Sequence, residues 1–135
     1  MTCAAPAREE FSFDIEVGGA APSVARGYVV EAVGDLVQTG TLERLKLLVS
    51  ELVTNVVRHA ATRRGECLSL TLRLGDDDVR VEVADGDARP FDPTPAPDPD
   101  RGRGYGLFLV ESLSSRWGVE QDNGTRVWFE LELAG

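Results

Sequence analysis

Three polar residues recur at a spacing that suits chemistry on one side of a helix. Glu51, Asn55 and His59 are four residues apart, so on a helix they form a stripe along one face. A glutamate can act as a base towards a hydroxyl group, and an asparagine offers a neutral oxygen to a metal ion already shielded by phosphates and water. A solvated helix face, with Glu51 and Arg58 as surface charges, explains the same residues.

The apolar residues around this stripe show a helical period. At the helical angle per residue they fill one arc of roughly 140°, and its members are Leu42, Leu45, Val49, Leu52, Val53, Val56 and Val57. The polar stripe lies at the edge of that arc. Burial of the arc would therefore place the stripe at the rim of a core, where a ligand could lie against it.

A glycine-rich segment, residues 102–107, follows a proline-rich stretch and opens a predicted helix. Gly104 and Gly106 allow the backbone to approach a ligand closely, and the free N–H groups of a helix N-terminus favour an anion. The segment is not a Walker A loop, because the single lysine, Lys46, lies in the middle of another predicted helix. A flexible hinge before a helix is the alternative.

Two further residues lie where strands meet loops. Asp85 ends an alternating segment and precedes Gly86, and a carboxylate there could accept a hydrogen bond from an exocyclic amine such as that of adenine. A turn-forming aspartate is the simpler explanation. Thr125 follows Gly124 before the last predicted strand, which is typical of a turn.

The elements that must position these residues follow from periodicity and from turn residues. Alternation predicts strands over 11–17, 67–74, 79–85 and 126–133, and helical spacing predicts helices over 20–37, 41–60 and 105–117. Both tryptophans, Trp117 and Trp128, are expected in the core. This order predicts an α/β two-layer sandwich, with three helices on one face of a mixed, mostly antiparallel sheet of four or five strands. We expect residues 1–9 to form a flexible tail and 10–135 a single domain, in which 86–103, with five prolines, form one long loop.

Composition narrows the class of protein. The 135 residues carry 23 acidic and 14 basic side chains, for a formal net charge of −9. Such a chain repels phosphate backbones, so we expect no direct contact with nucleic acid. No apolar run is long enough for a membrane span, and the N-terminus does not look like a signal peptide. The two cysteines form no metal-binding pattern and indicate a reducing cytoplasm.

Four segments together resemble the boxes of the GHKL (Bergerat-fold) ATPase superfamily, in one order and spacing. Residues 51–60 (ELVTNVVRHA) are similar to its N box, 85–87 (DGD) to its aspartate box, 102–107 (GRGYGL) to its glycine box, and 124–125 (GT) to its last box. The short chain, over about 11–133, resembles the anti-sigma-factor serine/threonine kinases of the RsbW and SpoIIAB kind, especially the small actinobacterial type.

This resemblance implies a site for ATP and Mg²⁺ under an ATP lid at 86–103. By the match of motifs, Glu51 would be the general base, Asn55 the magnesium ligand and Asp85 the acceptor for the adenine amino group. Thr125 would supply a hydroxyl beside adenine. The backbone of Gly104, Gly106 and Leu107 would bind phosphate. Arg103, with Arg101 in the same segment, could balance phosphate charge, which is an inference from charge and not a motif match.

The resemblance also implies partners. It predicts a cytoplasmic homodimer that binds a sigma factor and phosphorylates a STAS-domain anti-anti-sigma factor. Such a protein would regulate transcription under stress. One departure stands out, because Asp87 replaces a usual glycine and the lid itself is acidic. The alternative is therefore a non-catalytic anti-sigma regulator, binding ATP or no nucleotide, that acts by sequestering its partner. A third reading, a domain that phosphorylates histidine on another chain, lacks an accompanying dimerisation hairpin.

Overall fold

The computed structural model describes residues 9–59, 67–85, 105–121 and 125–133. Its strands and helices follow one another in the order β1 (Glu9–Glu16), α1 (Ala21–Val33), α2 (Thr39–His59), β2 (Cys67–Leu74), β3 (Asp78–Asp85), α3 (Tyr105–Leu113), β4 (Arg116–Gln121) and β5 (Thr125–Glu132). The predicted α/β two-layer sandwich is confirmed. The predicted tail and the predicted lid lie, apart from Glu9, outside the described residues.

The five strands form one sheet in the order β1-β2-β3-β5-β4. Each neighbouring pair is antiparallel, so within the described residues the sheet is antiparallel and not mixed. A tight connection joins β2 to β3, where the Gly75 N–H donates to the Asp78 carbonyl at 2.8 Å. The last strand along the chain, β5, lies between β3 and β4.

The core lies between the helices and one face of the sheet. Strand alternation sends Ile15, Leu70, Val81 and Phe129 into it, each at most 2% exposed. Helix α2 contributes a wide apolar arc that includes Leu48, which the predicted arc omitted; its buried members are Leu45, Leu48, Val49, Leu52, Val53 and Val56. Such an amphipathic helix is held mainly by the burial of that arc.

The helices differ from the predicted ones at their ends. Helix α1 ends at Val33, four residues before the predicted end, because Gly34 is a poor helix former and the chain turns there, with the Leu36 N–H bonded to the Val33 carbonyl. Leu36 therefore lies outside the helix and is 48% exposed. Helix α2 begins two residues before the predicted start, at Thr39.

The prediction of one helix over 105–117 was wrong in its second part. Helix α3 ends at Leu113, and β4 begins at Arg116. The Ser114 hydroxyl donates to the Val110 carbonyl and so uses an acceptor at the helix end. The Ser115 N–H donates to the backbone carbonyl of Glu130 in β5. Trp117 is consequently a strand residue, half-buried against the core.

The face of the sheet opposite the helices, its outer face, carries charged residues. Trp128 lies on this face and not in the core as predicted, with the Arg80 guanidinium 4.0 Å from the centre of its ring. Arg80 also contacts Glu82 at 2.8 Å and Glu130 at 3.0 Å. Arg116 binds Glu130 from the neighbouring strand. These ion pairs join β3, β4 and β5 across the face.

Candidate functional site

Helix α2 positions Glu51 and Asn55 at the rim of the core. Both side chains are half-buried and stand one turn apart. The Asn55 Nδ2 donates to the Glu51 carbonyl at 2.9 Å. Because the amide nitrogen is used in that bond, the amide oxygen is the group that Asn55 can offer to a ligand.

The two neighbouring helices define the side of α2 on which these residues lie. Helix α1 is joined to α2 by a hydrogen bond from Arg26 to the Ser50 hydroxyl at 2.7 Å. Glu51 is turned by about 100° from Ser50 around the helix, away from that contact. Arg44, two turns before Glu51 on nearly the same side, lines a cavity together with Leu113 of α3. The rim that carries Glu51 and Asn55 is thus the one turned towards α3.

Asp85 and Thr125 occupy opposite backbone positions on two neighbouring strands. They are partners in the register of β3 and β5, at the end of the ladder. These two predicted site residues therefore occupy adjacent backbone positions at one end of the sheet.

The direction of α2 brings Glu51 and Asn55 to that same end. Thr41, near the start of the helix, lines a cavity with Leu74 and Leu133, which lie at the opposite end of the sheet. From there α2 extends for 21 residues, about 30 Å, which is comparable to the length of an eight-residue strand at about 27 Å. Its second half accordingly lies at the end of the sheet that carries Asp85 and Thr125, and α2 packs on β3.

The backbone of Gly106 and Leu107 belongs to the first turn of α3, which packs against α2. N–H groups in a first turn have no partner within the helix, as binding of an anion requires. Arg103, Gly104, Arg101, Asp87 and the rest of the predicted lid lie outside the described residues. His59 is the last residue of α2.

The donor set suits a magnesium ion held mainly by a nucleotide. Within the described ranges, no group of three His, Cys, Asp or Glu side chains could hold a metal ion by itself. Magnesium usually keeps several waters and is bound through one or two protein oxygens together with phosphate oxygens. The single oxygen of Asn55 matches that requirement.

The sequence did not single out the contacts that fix this part of α2. Arg26 bonds Ser50 from α1, and the Thr54 hydroxyl donates to the Ser50 carbonyl at 2.7 Å. These bonds hold the turn that precedes Glu51. Ser50 and Thr54, two poor helix formers four residues apart within a strong helix, were the available signal.

Residues 21–131 match the family model described as the histidine kinase-like ATPase domain. The chain belongs to this family. Membership confirms the resemblance to GHKL ATPases and the expected fold, and it implies that the chain binds ATP. A comparison with curated proteins found no match.

The fold of this chain is also similar to that of a solved structure. A chain in the crystal structure of the SiaB–SiaC complex from Pseudomonas aeruginosa has a TM-score of 0.62 and 11% sequence identity; the match covers 91% of this chain and 88% of that one. At this identity the likeness shows a shared fold. No helix among the described residues is both long and apolar enough to cross a membrane.

Proposed function

We propose that this histidine kinase-like ATPase domain is an anti-sigma-factor serine/threonine protein kinase. It binds a sigma factor and uses ATP to phosphorylate a STAS-domain anti-anti-sigma factor in the cytoplasm. The observation that carries the proposal is the pair Glu51 and Asn55, one turn apart at the rim of α2 that faces α3. A carboxylate and an amide oxygen so placed meet the two needs of phosphoryl transfer, a proton acceptor and a metal ligand.

The roles of the residues follow from their chemistry. ATP supplies the phosphoryl group when it is bound with Mg²⁺. The Glu51 carboxylate accepts the proton of the incoming serine or threonine hydroxyl. The hydroxyl oxygen bonds to the γ-phosphorus as the bond from that phosphorus to the ADP oxygen breaks. Asn55 gives its amide oxygen to the metal. These groups act by position and charge, which is most of what this reaction requires.

Recognition of the nucleotide is assigned to the remaining predicted residues. Asp85 accepts a hydrogen bond from the adenine amino group, and Thr125 provides a hydroxyl beside it. The backbone of Gly104, Gly106 and Leu107 binds phosphate, and Arg103 balances its charge. The segment 86–103 acts as a lid that excludes water from the reaction.

One solved structure with this fold supports a protein partner. The relative described above was crystallised within a complex of SiaB with SiaC. For the present chain we propose a STAS-domain protein as the phosphorylated partner and a sigma factor as the sequestered one. Labelling with radioactive Mg²⁺–ATP in the presence of a cognate STAS protein tests this directly.

The decisive variant is Glu51→Ala, with Glu43→Ala as its matched control. Glu43 lies on the same helix but is exposed and paired with Lys46. We expect Glu51→Ala to lower transfer by about 100-fold or more, the scale of a lost general base, with nucleotide affinity little changed. Equal labelling by the two variants would refute the role of Glu51.

The alternative, a regulator without turnover, is favoured by Asp87 and by the acidic residues of the lid segment. Negative charge beside a bound nucleotide would weaken its affinity. Calorimetric titration with ATP, with and without Mg²⁺, separates the two candidates. Micromolar, magnesium-dependent binding argues against a nucleotide-free module, and labelling of the partner then decides between an ATP-binding regulator and a kinase.

A homodimer completes the proposal, because among the strands that the structure describes β1 lies at the edge of the sheet and pairs with β2 alone. Its free edge presents backbone groups that a second chain could pair with. Light scattering should give twice the monomer mass at micromolar concentration, and a monomer at high concentration would contradict this part of the proposal.

A further inference from the structure

One side-chain hydrogen bond joins helix α1 to the turn of α2 that precedes the candidate site. The Arg26 Nη1 donates to the Ser50 hydroxyl at 2.7 Å. Both side chains are half-buried, so water competes for this bond less than it would on an open surface. Ser50 directly precedes Glu51 in the chain, and Asn55 lies about one turn further along the same helix.

This bond adds direction to a contact that is otherwise apolar at its centre. On α1, Ala25 and Val29 are fully buried, and on α2 so is Val49, the neighbour of Ser50. Burial of apolar surface is non-directional, so it holds two helices together but resists a small rotation of one of them only weakly. A hydrogen bond weakens steeply as its angle departs from linear. The bond from Arg26 therefore opposes rotation of α2 about its own axis.

Two further hydrogen bonds at this turn lie within α2. The Thr54 hydroxyl donates to the Ser50 carbonyl, and the Asn55 amide donates to the Glu51 carbonyl. Both bonds move with the helix, so they cannot fix its rotation relative to α1. A hydroxyl that bonds back to the carbonyl four residues earlier also tends to bend a helix. The turn therefore gains from an anchor outside α2, and Arg26 supplies one.

A small rotation of α2 would matter at the candidate site. The ends of side chains lie about 5–6 Å from the axis of a helix, so a rotation of about 10° moves them by about 1 Å. A displacement of about 1 Å can slow a reaction that depends on positioning by about 100-fold. Phosphoryl transfer is such a reaction. Control of this rotation is thus control of where the Glu51 carboxylate meets its substrate.

We propose that Arg26 is a positioning residue for phosphoryl transfer. Through its bond to Ser50 it fixes the rotation of α2, and with it the places of the Glu51 carboxylate and the Asn55 amide oxygen. Arg26 acts only through Ser50 and contacts neither the nucleotide nor the protein substrate. This inference rests on the proposed kinase function, but it extends the working parts of the site to α1, which carries none of the motifs from which that function was inferred.

Steady-state transfer to a cognate STAS protein tests this, in Arg26→Ala, in Ser50→Ala and in the double variant. Each is assayed at a temperature at which thermal denaturation shows it to be folded. We expect each single variant to lower kcat by about 10- to 100-fold, with an unchanged KM for the protein substrate. Because both residues act through one bond, the double variant should be no slower than the slower single variant. Arg26→Lys keeps a donor and should recover part of the loss. Arg44→Ala, at an exposed position of α2, is the charge control and should keep the parent kcat.

Several results would overturn the role of Arg26. A loss of kcat in Arg26→Ala that Ser50→Ala does not share would show that Arg26 acts elsewhere. A raised KM for the protein substrate at unchanged kcat would make Arg26 a docking residue. A lowered melting temperature at unchanged kcat would make it purely structural. A parent chain that transfers no phosphate would instead refute the proposed function and this inference together, so the two failures can be told apart.

Hydrogen exchange gives a second measurement that needs no substrate. In a helix, the backbone N–H groups of Thr54 and Asn55 bond to the carbonyls of Ser50 and Glu51. Release of this turn from α1 should make these two amides exchange about tenfold faster in Arg26→Ala, because opening of the turn becomes easier. Leu70, fully buried in β2, reports any change in global stability. Equal exchange at Thr54 and Asn55 in parent and variant, after correction for Leu70, would overturn the inference.

Discussion

Asp85 and Thr125 are paired in register at the end of β3 and β5, although forty residues of sequence separate them. Neither residue alone distinguishes a binding site from a turn. Their pairing brings a carboxylate-bearing and a hydroxyl-bearing residue to one end of the sheet, the end that the second half of α2 reaches. Several independent variants can test whether this end binds a nucleotide.

Replacement of Asp85 should weaken ATP selectively. If its carboxylate accepts a hydrogen bond from the adenine amino group, Asp85→Asn should lower ATP affinity by about 10- to 100-fold, since hydrogen bonds to charged groups contribute roughly 1.5–3 kcal/mol. Calorimetry with Mg²⁺–ATP measures this. Asp14→Asn, at an exposed position of β1, is the control, and equal affinities for the two variants would remove Asp85 from the site.

Replacement of Asn55 should change the dependence on magnesium. Asn55→Ala removes the proposed metal ligand and also the bond to the Glu51 carbonyl. Thr54→Ala removes a comparable bond, to the Ser50 carbonyl, and controls for that loss. We expect the magnesium concentration for half-maximal nucleotide binding to rise about tenfold or more in Asn55→Ala alone, because one ligand of the ion is lost. A parallel change in Thr54→Ala would indicate a purely structural effect.

Two glycines should respond to alanine in opposite directions. A Cβ at Gly118 would lie 2.9 Å from three atoms of the Trp128 ring, so the ring, which packs against Arg80, must shift. Gly118→Ala should destabilise the fold by about 1–3 kcal/mol. A Cβ at Gly27, within α1, meets nothing within 4 Å, and Gly27→Ala should stabilise by about 0.5–1 kcal/mol. Urea denaturation compares both variants with the parent chain.

The ion pairs of the outer face should make stability depend on acid pH. Burial acts to raise the pKa of Glu130, but hydrogen bonds from Arg116 and Arg80 outweigh it, so the pKa is lowered from its usual value. A lowered pKa adds stability above the unfolded value, near 4.5, and this is lost as pH falls through the folded value. Glu130→Gln should therefore be less stable at pH 7, by about 1–3 kcal/mol, and should lose less stability on acidification. An equal loss of folding free energy on acidification in the parent and in Glu130→Gln would contradict this.

Asp78 should behave in the opposite way. Burial and the nearby Glu130 carboxylate raise the pKa of Asp78, so the ionised carboxylate is less favourable in the folded than in the unfolded chain. The protein therefore loses stability as the pH rises through the titration of Asp78. Asp78→Asn should be more stable than the parent at pH 7, with the difference vanishing at low pH. Thermal denaturation across pH measures it, with Asp14→Asn as an exposed control. A destabilised Asp78→Asn would show that this carboxylate supports the β2–β3 turn.

Local pattern predicted what depends on local physics. The boundaries of β2 were predicted without error because alternation from Cys67 to Leu74 is bounded by turn residues. The buried arc of α2 was predicted apart from Leu48, which was omitted, and from Leu42 and Val57, which are only partly buried. The end of α3 was missed because Leu109, Leu113 and Trp117 keep a helical spacing past Ser114 and Ser115, and only pairing with β5 makes the residues after the serines a strand. Trp128 was misplaced because its apolar size suggested the core, whereas its register with Gly118 places it on the outer face.

The residue types of the candidate site could be predicted from the sequence, whereas most of their positions relative to one another could not. The spacing of Glu51 and Asn55 follows from the helix itself. The nearness of Asp85 to Thr125 depends on a pairing between distant segments, which periodicity does not encode. The bond from Arg26 to Ser50 likewise arises from packing between two helices, and neither residue carries a motif.

The order of strands affects how the protein is made. β5 follows every other element along the chain, yet it lies inside the sheet between β3 and β4. During synthesis on the ribosome, β3 and β4 keep unpaired edges until residues 125–132 emerge, because long-range pairing of this kind forms late. A chain that stops before β5 would leave β4 without its partner, so a premature stop codon there should yield an aggregation-prone product and not a folded but less stable protein.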